Sequence, residues 1–327
     1  MMAETGRGPA ALAREAQVGQ TVGMQRHPST IMVSCVVPWD ADEEIDLPRF
    51  RAQTEAALAA GYRHLYVFGT AGEGYAVDTR RYLEVIDAFG AATRGEGIVP
   101  MIGVIALSTA QVIERVRLAH DRGFRAFQLS FPRWEVLTDP EVERFFRDVC
   151  GAFPDSTFMH YNTGRVGRIL GAADYRRFVD EVPNLVATKT MTGDITLVGR
   201  LVAEVPELQH FLSEPVYAHG SLHGTCSILG TFGLLAPRRS WELFHAAKEG
   251  RHAEAAALGA WFARLSDEVF APVMEDRRID GTYDKTIVRL GAVPDFPLRM
   301  LSPYRGLADD EAEICRQILR TSFPECG

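Results

Sequence analysis

A short, β-rich apolar run followed by a longer amphipathic one recurs eight times between residues 29 and 236. Strands alternating with helices pair in parallel, because each helix returns the chain to the same edge of the sheet. Ile31–Val37 opens the series and ends at Pro38; Leu47–Ala60 then carries apolar residues at helical spacing, with Gly61 as its stop. His64–Phe68 is predicted as the second strand, Arg80–Thr93 as a helix, Ile98–Ile105 as the third strand, and Thr109–Arg122 as a helix closed by Gly123. Strands Ala126–Ser130, Thr157–Tyr161, Leu185–Lys189, Leu208–Leu212 and Thr225–Leu229 follow. Between them lie helices Glu141–Ala152, Ala172–Val182 and Thr196–Glu204, with room for only a short helix at Val216–Leu222. Eight such units predict a closed (β/α)8 TIM barrel, with an open doubly wound sheet as the competing arrangement. Trp241–Lys248, Glu254–Phe270, Tyr283–Leu290 and Glu311–Leu319 continue the helical spacing without a composition break. Residues 237–327 are therefore expected to pack on the barrel as part of one domain, and residues 1–28 to form a flexible N-terminal arm.

A core of this size suits the composition, 46% hydrophobic and 24% charged. The net charge of −8 argues against a nucleic-acid surface, since phosphate binding needs clustered Lys and Arg. No stretch approaches the roughly 20 apolar residues of a membrane span, and the first residues lack the apolar centre of a signal peptide. The five cysteines are widely spread without a Cys-x-x-Cys pair, which points away from a disulfide framework or structural zinc and toward a reducing, cytoplasmic setting.

In a parallel barrel the chemistry collects at the C-terminal ends of the strands. Lys189 closes Leu185–Lys189, in a chain with only three lysines (Lys189, Lys248 and Lys285) among 35 basic residues. An amine can shed its proton near neutral pH and attack a carbonyl, which a guanidinium cannot do. The plainer reading is a strand-end lysine that reaches water or pairs with a carboxylate. Tyr161 ends the preceding strand; its phenol could shuttle protons, or it could be an ordinary rim aromatic. The loop Gly69–Gly74 follows the second strand, and its glycines would let backbone N–H groups converge on a small anion. It has neither the Gly-Lys-Ser/Thr ending of a nucleotide loop nor dinucleotide-binding spacing, so a carboxylate is the better guest. His219 and His223 lie four apart without the companion Glu of a zinc-protease motif, so no catalytic metal is expected. His160 should point away from the lumen, opposite to Tyr161. Cys226, near the last strand, is a small core residue or a nucleophile.

Together and in this order, these segments resemble the dihydrodipicolinate synthase / N-acetylneuraminate lyase family from about Ile31 to Leu319. Val37-Pro38-Trp39 is similar to the family's Thr-Pro-Phe, and Gly69-Thr70-Ala71-Gly72-Glu73 to its Gly-Thr-Thr-Gly-Glu. Tyr161-Asn162 matches its Tyr-Asn, and Thr188-Lys189 with Thr192-Gly193-Asp194 matches its Schiff-base lysine region.

The resemblance implies a metal-free class I lyase with no cofactor beyond a covalent imine on Lys189. Lys189 would condense with pyruvate or another 2-oxo acid, Tyr161 would relay protons, and Thr70 with the backbone of Ala71 would hold the carboxylate, Gly72 shaping the same pocket. Thr70 would also bond the Tyr161 hydroxyl, and the Cys226 carbonyl would line the pyruvate pocket. The partners implied are a 2-oxo acid and an aldehyde, in a homo-oligomer (dimer or tetramer). Three departures bear on the second substrate. Ala71 replaces a Thr. Phe131-Pro132-Arg133-Trp134 stands where the synthases carry a relay Tyr, and Trp134, a donor only, would instead stack on a bulky aldehyde. Tyr161-Asn162-Thr163-Gly164-Arg165-Val166-Gly167 is one residue shorter than the family pattern and lacks its Pro, though Arg165 is still expected to meet a substrate carboxylate. These departures favour aldol cleavage or condensation of a longer 2-oxo acid over the synthase reaction, with a sugar-acid dehydratase, a metal-dependent aldolase and a non-catalytic 2-oxo acid binder as alternatives.

Overall fold

Runs such as Ile31-Met32-Val33-Ser34-Cys35, buried at every residue, only form strands that are covered on both faces. The computed structural model describes residues 26–273 and 278–326, and places these runs in a closed, all-parallel barrel with the strands in chain order. The strands are β1 (Ile31–Cys35), β2 (His64–Val67), β3 (Val99–Gly103), β4 (Ala126–Leu129), β5 (Thr157–Thr163), β6 (Leu185–Met191), β7 (Gln209–Leu212) and β8 (Cys226–Gly230). β1 pairs with both β2 and β8, closing the sheet and excluding the open alternative.

Inward side chains including Met32, Tyr66, Met101, Met159, Ala187, Phe211 and Leu229 fill the lumen, while outward ones join the larger core beneath the helices. Polar groups in the lumen satisfy one another: the Tyr66 hydroxyl donates to Gln128 Oε1, and Gln209 Nε2 donates to Ser227 Oγ at 2.7 Å. The surrounding helices are α1 (Leu47–Ala59), α2 (Thr79–Ala92), α3 (Thr109–His120), α4 (Asp139–Gly151), α5 (Ala172–Arg176), α6 (Ile195–Glu204), α7 (Glu214–Gly220) and α8 (Pro237–Lys248). Asp46, Asp78, Ser108 and Asp194 start four of them by accepting a first-turn backbone N–H, the usual N-cap bond.

The helix expected over Ala172–Val182 stops early. After Arg177 the backbone leaves helical values (Phe178 φ −140°), and Phe178 turns inward to stack on Phe146 at 4.9 Å. Burying that ring overrides the helical spacing. β5 and β6, by contrast, each run two residues past their expected ends.

Three further helices follow: α9 (His252–Phe270), packed on α7 and α8; α10 (Gly281–Leu290); and α11 (Asp309–Ser322), packed on α9. α10 reaches over the C-terminal mouth of the barrel. Most of the expected N-terminal arm lies outside the described residues. His27, assigned to that arm, is buried at the opposite end, its ring 5.1 Å from those of His64 and Phe211.

Candidate active site

The extra length of β5 and β6 sets the geometry of the mouth. Tyr161 on β5 and Lys189 on β6 are register partners, and the Lys189 Nζ lies 5.1 Å from the Tyr161 ring centroid. Neighbours on a strand point oppositely, so Asn162 faces outward while Tyr161 faces in. The Asn162 amide grips the chain that returns beside it, donating to Leu170 O at 2.9 Å and accepting from Leu170 N at 2.8 Å. This buried clamp fixes the strand end that carries the phenol. His160, on the same outward phase, bonds the Tyr175 hydroxyl at 2.7 Å through Nδ1, and complete burial pulls its titration down to about 3.

The loop after β2 supplies Thr70, whose Oγ1 is 3.3 Å from the Tyr161 hydroxyl. Its glycines serve packing. A Cβ on Gly69 would come 2.6 Å from the Tyr66 hydroxyl, one on Gly72 would come 2.6 Å from the Phe68 nitrogen, and one on Gly74 would collide with the Phe68 carbonyl. The left-handed conformations fall instead on Phe68 (φ 73°) and Glu73 (φ 55°). Such values cost a side-chain-bearing residue roughly 1 kcal/mol or more unless its surroundings hold it there. For Glu73 that hold is a fully buried ion pair: Lys285 Nζ on α10 lies 2.7 Å from its Oε1. Trp39 Nε1 donates to the same oxygen at 2.8 Å, and the Leu301 backbone N–H to Oε2 at 2.7 Å. Lys285 also donates to the carbonyls of Val37 (2.9 Å) and Arg299. Burial pulls its amine below the usual lysine range, and Glu73 pushes it back up. Gly281, the first residue of α10, lies against the Thr70 carbonyl where no Cβ fits comfortably.

Above Lys189 is a cavity of about 270 Å³, with Tyr161, Thr70 and Ala71 along one part of its wall. Elsewhere it is lined by Glu214 at the start of α7, Thr231 after β8, Ser266 and Phe270 from α9, and Asp280, Tyr283, Asp284 and Ile287 from the α10 segment. Glu214 is only 3% exposed, and burial pushes its carboxyl up to about 7, partly offset by hydrogen bonds from its own N–H and that of Phe232 and by the nearby Lys189 charge. Asp284 is pushed up to about 6, again chiefly by desolvation, against a hydrogen bond from Thr231 and the charge of Lys189.

The residues expected from sequence divide clearly. Lys189, Tyr161, Thr70 and Ala71 line one cavity. Gly72 is packed against the Phe68 backbone, not in the cavity lining. Arg165 is at the rim, where its guanidinium is paired with Asp280. Trp134, expected to stack on the aldehyde, is 94% exposed and is not part of the cavity lining; it lies in a stretch, residues 130–138, without strand or helix. Cys226 is also misplaced: it begins β8, at the end of the barrel away from Lys189, and its carbonyl accepts from Ser29 Oγ at 2.8 Å. The cavity takes Leu229, Gly230 and Thr231 from the far end of that strand. Glu214, Asp280 and Asp284 were not singled out by sequence. Asp280 and Asp284 lie some 90 residues beyond Lys189, on a segment whose helical spacing says nothing of where it docks. The His219 and His223 rings lie 5.0 Å apart and tilted, and among the described residues no group of three or more His, Cys, Asp or Glu is placed to hold a metal ion.

An amine on an inner strand of a parallel barrel, with a phenol and a hydroxyl in sequence beside it, is the apparatus of an imine-forming class I lyase. Comparison with known proteins agrees. Residues 27–277 match the dihydrodipicolinate synthetase family, and the chain belongs to that family and is an enzyme of the pyruvate-dependent class I lyases. It is 27% identical over 245 residues to 4-hydroxy-tetrahydrodipicolinate synthase of Azoarcus sp. (strain BH72), covering 73% of this chain and 82% of that one. With the Pseudomonas putida (strain W619) synthase it shares 25% over 302 residues, 90% of this chain and 97% of the other. The fold is also that of a prophage protein of the dihydrodipicolinic acid synthase family from E. coli K12, solved with pyruvate (TM-score 0.80, 18% identity, 90% and 98% coverage). Proteus mirabilis N-acetylneuraminate lyase shares it too (TM-score 0.78, 19% identity, 91% and 99% coverage).

Proposed function

We propose that Lys189 condenses with the C2 carbonyl of a 2-oxo acid, the imine of pyruvate forming a carbon–carbon bond to an aldehyde and the imine of the longer 2-oxo acid breaking it. The observation that carries this is the Lys189–Tyr161–Thr70 arrangement opening into one cavity. The neutral amine adds to C2, the carbinolamine loses its oxygen as water, and the protonated imine draws electrons from the adjacent carbon. In cleavage, the C3–C4 pair flows into the imine, the C4 hydroxyl loses its proton as the aldehyde forms, and the enamine left behind takes a proton at C3. Water then releases pyruvate and the amine. In condensation the same steps run in reverse.

Tyr161 carries protons to and from these oxygens, a role supported by Thr70 lying beside its hydroxyl. Thr70 and the Ala71 backbone hold the carboxylate. The imine is the electron sink, so the proposed reaction draws on no added cofactor. Cleavage or condensation of a longer 2-oxo acid is favoured over the lysine-pathway synthase reaction because Ala71 removes a hydroxyl from the pocket and no Tyr stands at position 134. We also place the enzyme in the cytoplasm as a homo-oligomer. The absence of disulfides among its five cysteines and the exposure of Leu107 and Trp134 support this. Among the described residues no helix is long and apolar enough to cross a membrane.

Incubation with pyruvate and borohydride, followed by peptide mass analysis, tests the reading. One reduced pyruvyl adduct on Lys189 is expected; an unmodified lysine refutes it.

A further inference from the structure

We infer that the aldehyde partner is uncharged and hydroxyl-bearing, and that Glu214 and Asp284 are the side chains that select it. The inference rests on the imine chemistry proposed for Lys189 and names the second substrate of that site.

A partner with its own carboxylate would need a cation in the part of the cavity beyond Lys189. Lys189 is the one basic side chain among the cavity-lining residues described, and the imine consumes it. Arg165, the cation that sequence offered for a second carboxylate, shares the rim with Asp280, and the pair adds no net positive charge. Lys285 is held on Glu73 beneath the Thr70 loop. Two acids remain facing the space, Glu214 and Asp284. An incoming carboxylate would meet like charge where little water screens it.

β8 leaves the barrel through Gly230, Thr231 and Phe232; the Glu214 carboxylate lies over Gly230, where any Cβ would collide with it. Asp284 reaches the same part of the cavity from α10, which Thr231 also lines. With the hydroxyls of Ser213 and Ser266 these groups form a wall rich in donors and acceptors, two to three strands around the rim from Thr70 and Ala71. An apolar aldehyde would leave those buried groups without new partners, at a cost that discriminates strongly. A hydroxylated one supplies both a donor and an acceptor at each carbon. An ammonium ion only donates and would leave the hydroxyl donors of Ser213 and Ser266 on the same wall unmatched, whereas a hydroxyl group serves acids and donors alike.

The test is condensation of pyruvate with four aldehydes by the full-length enzyme: glyceraldehyde, succinic semialdehyde, butanal and aminoacetaldehyde. Glyceraldehyde is expected to show a kcat/KM at least about tenfold above each of the others. Glu214→Gln and Asp284→Asn should each lower that value about tenfold or more, mainly through KM, while borohydride trapping of pyruvate stays at the parent level. If Glu214→Gln does not fold, Asp284→Asn, on the more open side of the cavity, carries the test. Preference for the carboxylate, apolar or ammonium aldehyde, turnover of none of the four, or substituted enzymes that keep the parent preference would overturn the inference while leaving the imine standing. A parent that pyruvate and borohydride leave unmodified overturns both.

Discussion

Replacing Lys285 by Met removes one half of a buried ion pair and leaves the other half in place. Glu73 and Lys285 are both inaccessible to solvent and 2.7 Å apart, so the stranded carboxylate would keep only the Trp39 and Leu301 donors. Removing one partner of such a pair costs about 3–5 kcal/mol, because the remaining charge loses its counterion but cannot regain water. Glu73→Gln keeps hydrogen-bonding capacity but strands the ammonium on two carbonyls, and should cost a similar amount. The double variant Glu73→Gln/Lys285→Met has no buried charge, so it should be less destabilised than the sum of the singles by about 2 kcal/mol. Urea unfolding at pH 7, followed by tryptophan fluorescence, measures all three; Trp39, within the network, reports on it directly. A cost below about 1 kcal/mol for Lys285→Met, or strict additivity in the double variant, would refute this account of the network.

Lys189→Arg retains the charge but cannot form an imine, so borohydride trapping should vanish and kcat fall by at least about 10³-fold with the unfolding midpoint unchanged. Tyr161→Phe should lower kcat by about 10²–10⁴-fold, as expected for a proton carrier, while pyruvate trapping becomes slow but still goes to completion. Trp134→Ala should leave kcat/KM within about twofold, since the indole is outside the cavity; a larger loss in steady-state assays would place it in the reaction. The Glu214 carboxyl titrates near 7 when folded, against 4.5 otherwise, so its burial is free of cost below about pH 4.5 and opposes folding fully above pH 7. Glu214→Gln should therefore gain up to about 3 kcal/mol over the parent at pH 8 and nothing at pH 4, read from paired denaturation curves.

The barrel and the meeting of Thr70, Tyr161 and Lys189 at one cavity were legible because each rests on local signals. Periodicity switches between strand and helix along the chain; Tyr161 and Lys189 each lie two residues before the end of a strand, and Thr70 lies three residues after one. What failed depended on strand phase and distant docking. Cys226 lies near the last strand in sequence, but a strand has two ends, and this residue is at the one opposite the chemistry. Trp134 looked like a platform by residue type alone; nothing local shows which way a loop side chain turns. The α10 acids were out of reach because helical spacing identifies the buried face of a helix, not what that face will meet. Lys285 is instructive in the same way. The scarcity of lysine pointed to special roles, and two of the three lysines are indeed tied to the mouth of the barrel, one by its position in the cavity and the other by holding the loop.

The hexapeptide after β2 leaves little room for change. Positions 69, 72 and 74 accept no side chain, and position 73 is tied to a distant helix. Thr70 lies against the phenol of Tyr161. Residue 71 alone borders the cavity without such a duty, so any adjustment of how this loop greets its guest has to be written there, one side chain at a time. The alanine at that position is the setting this enzyme has chosen.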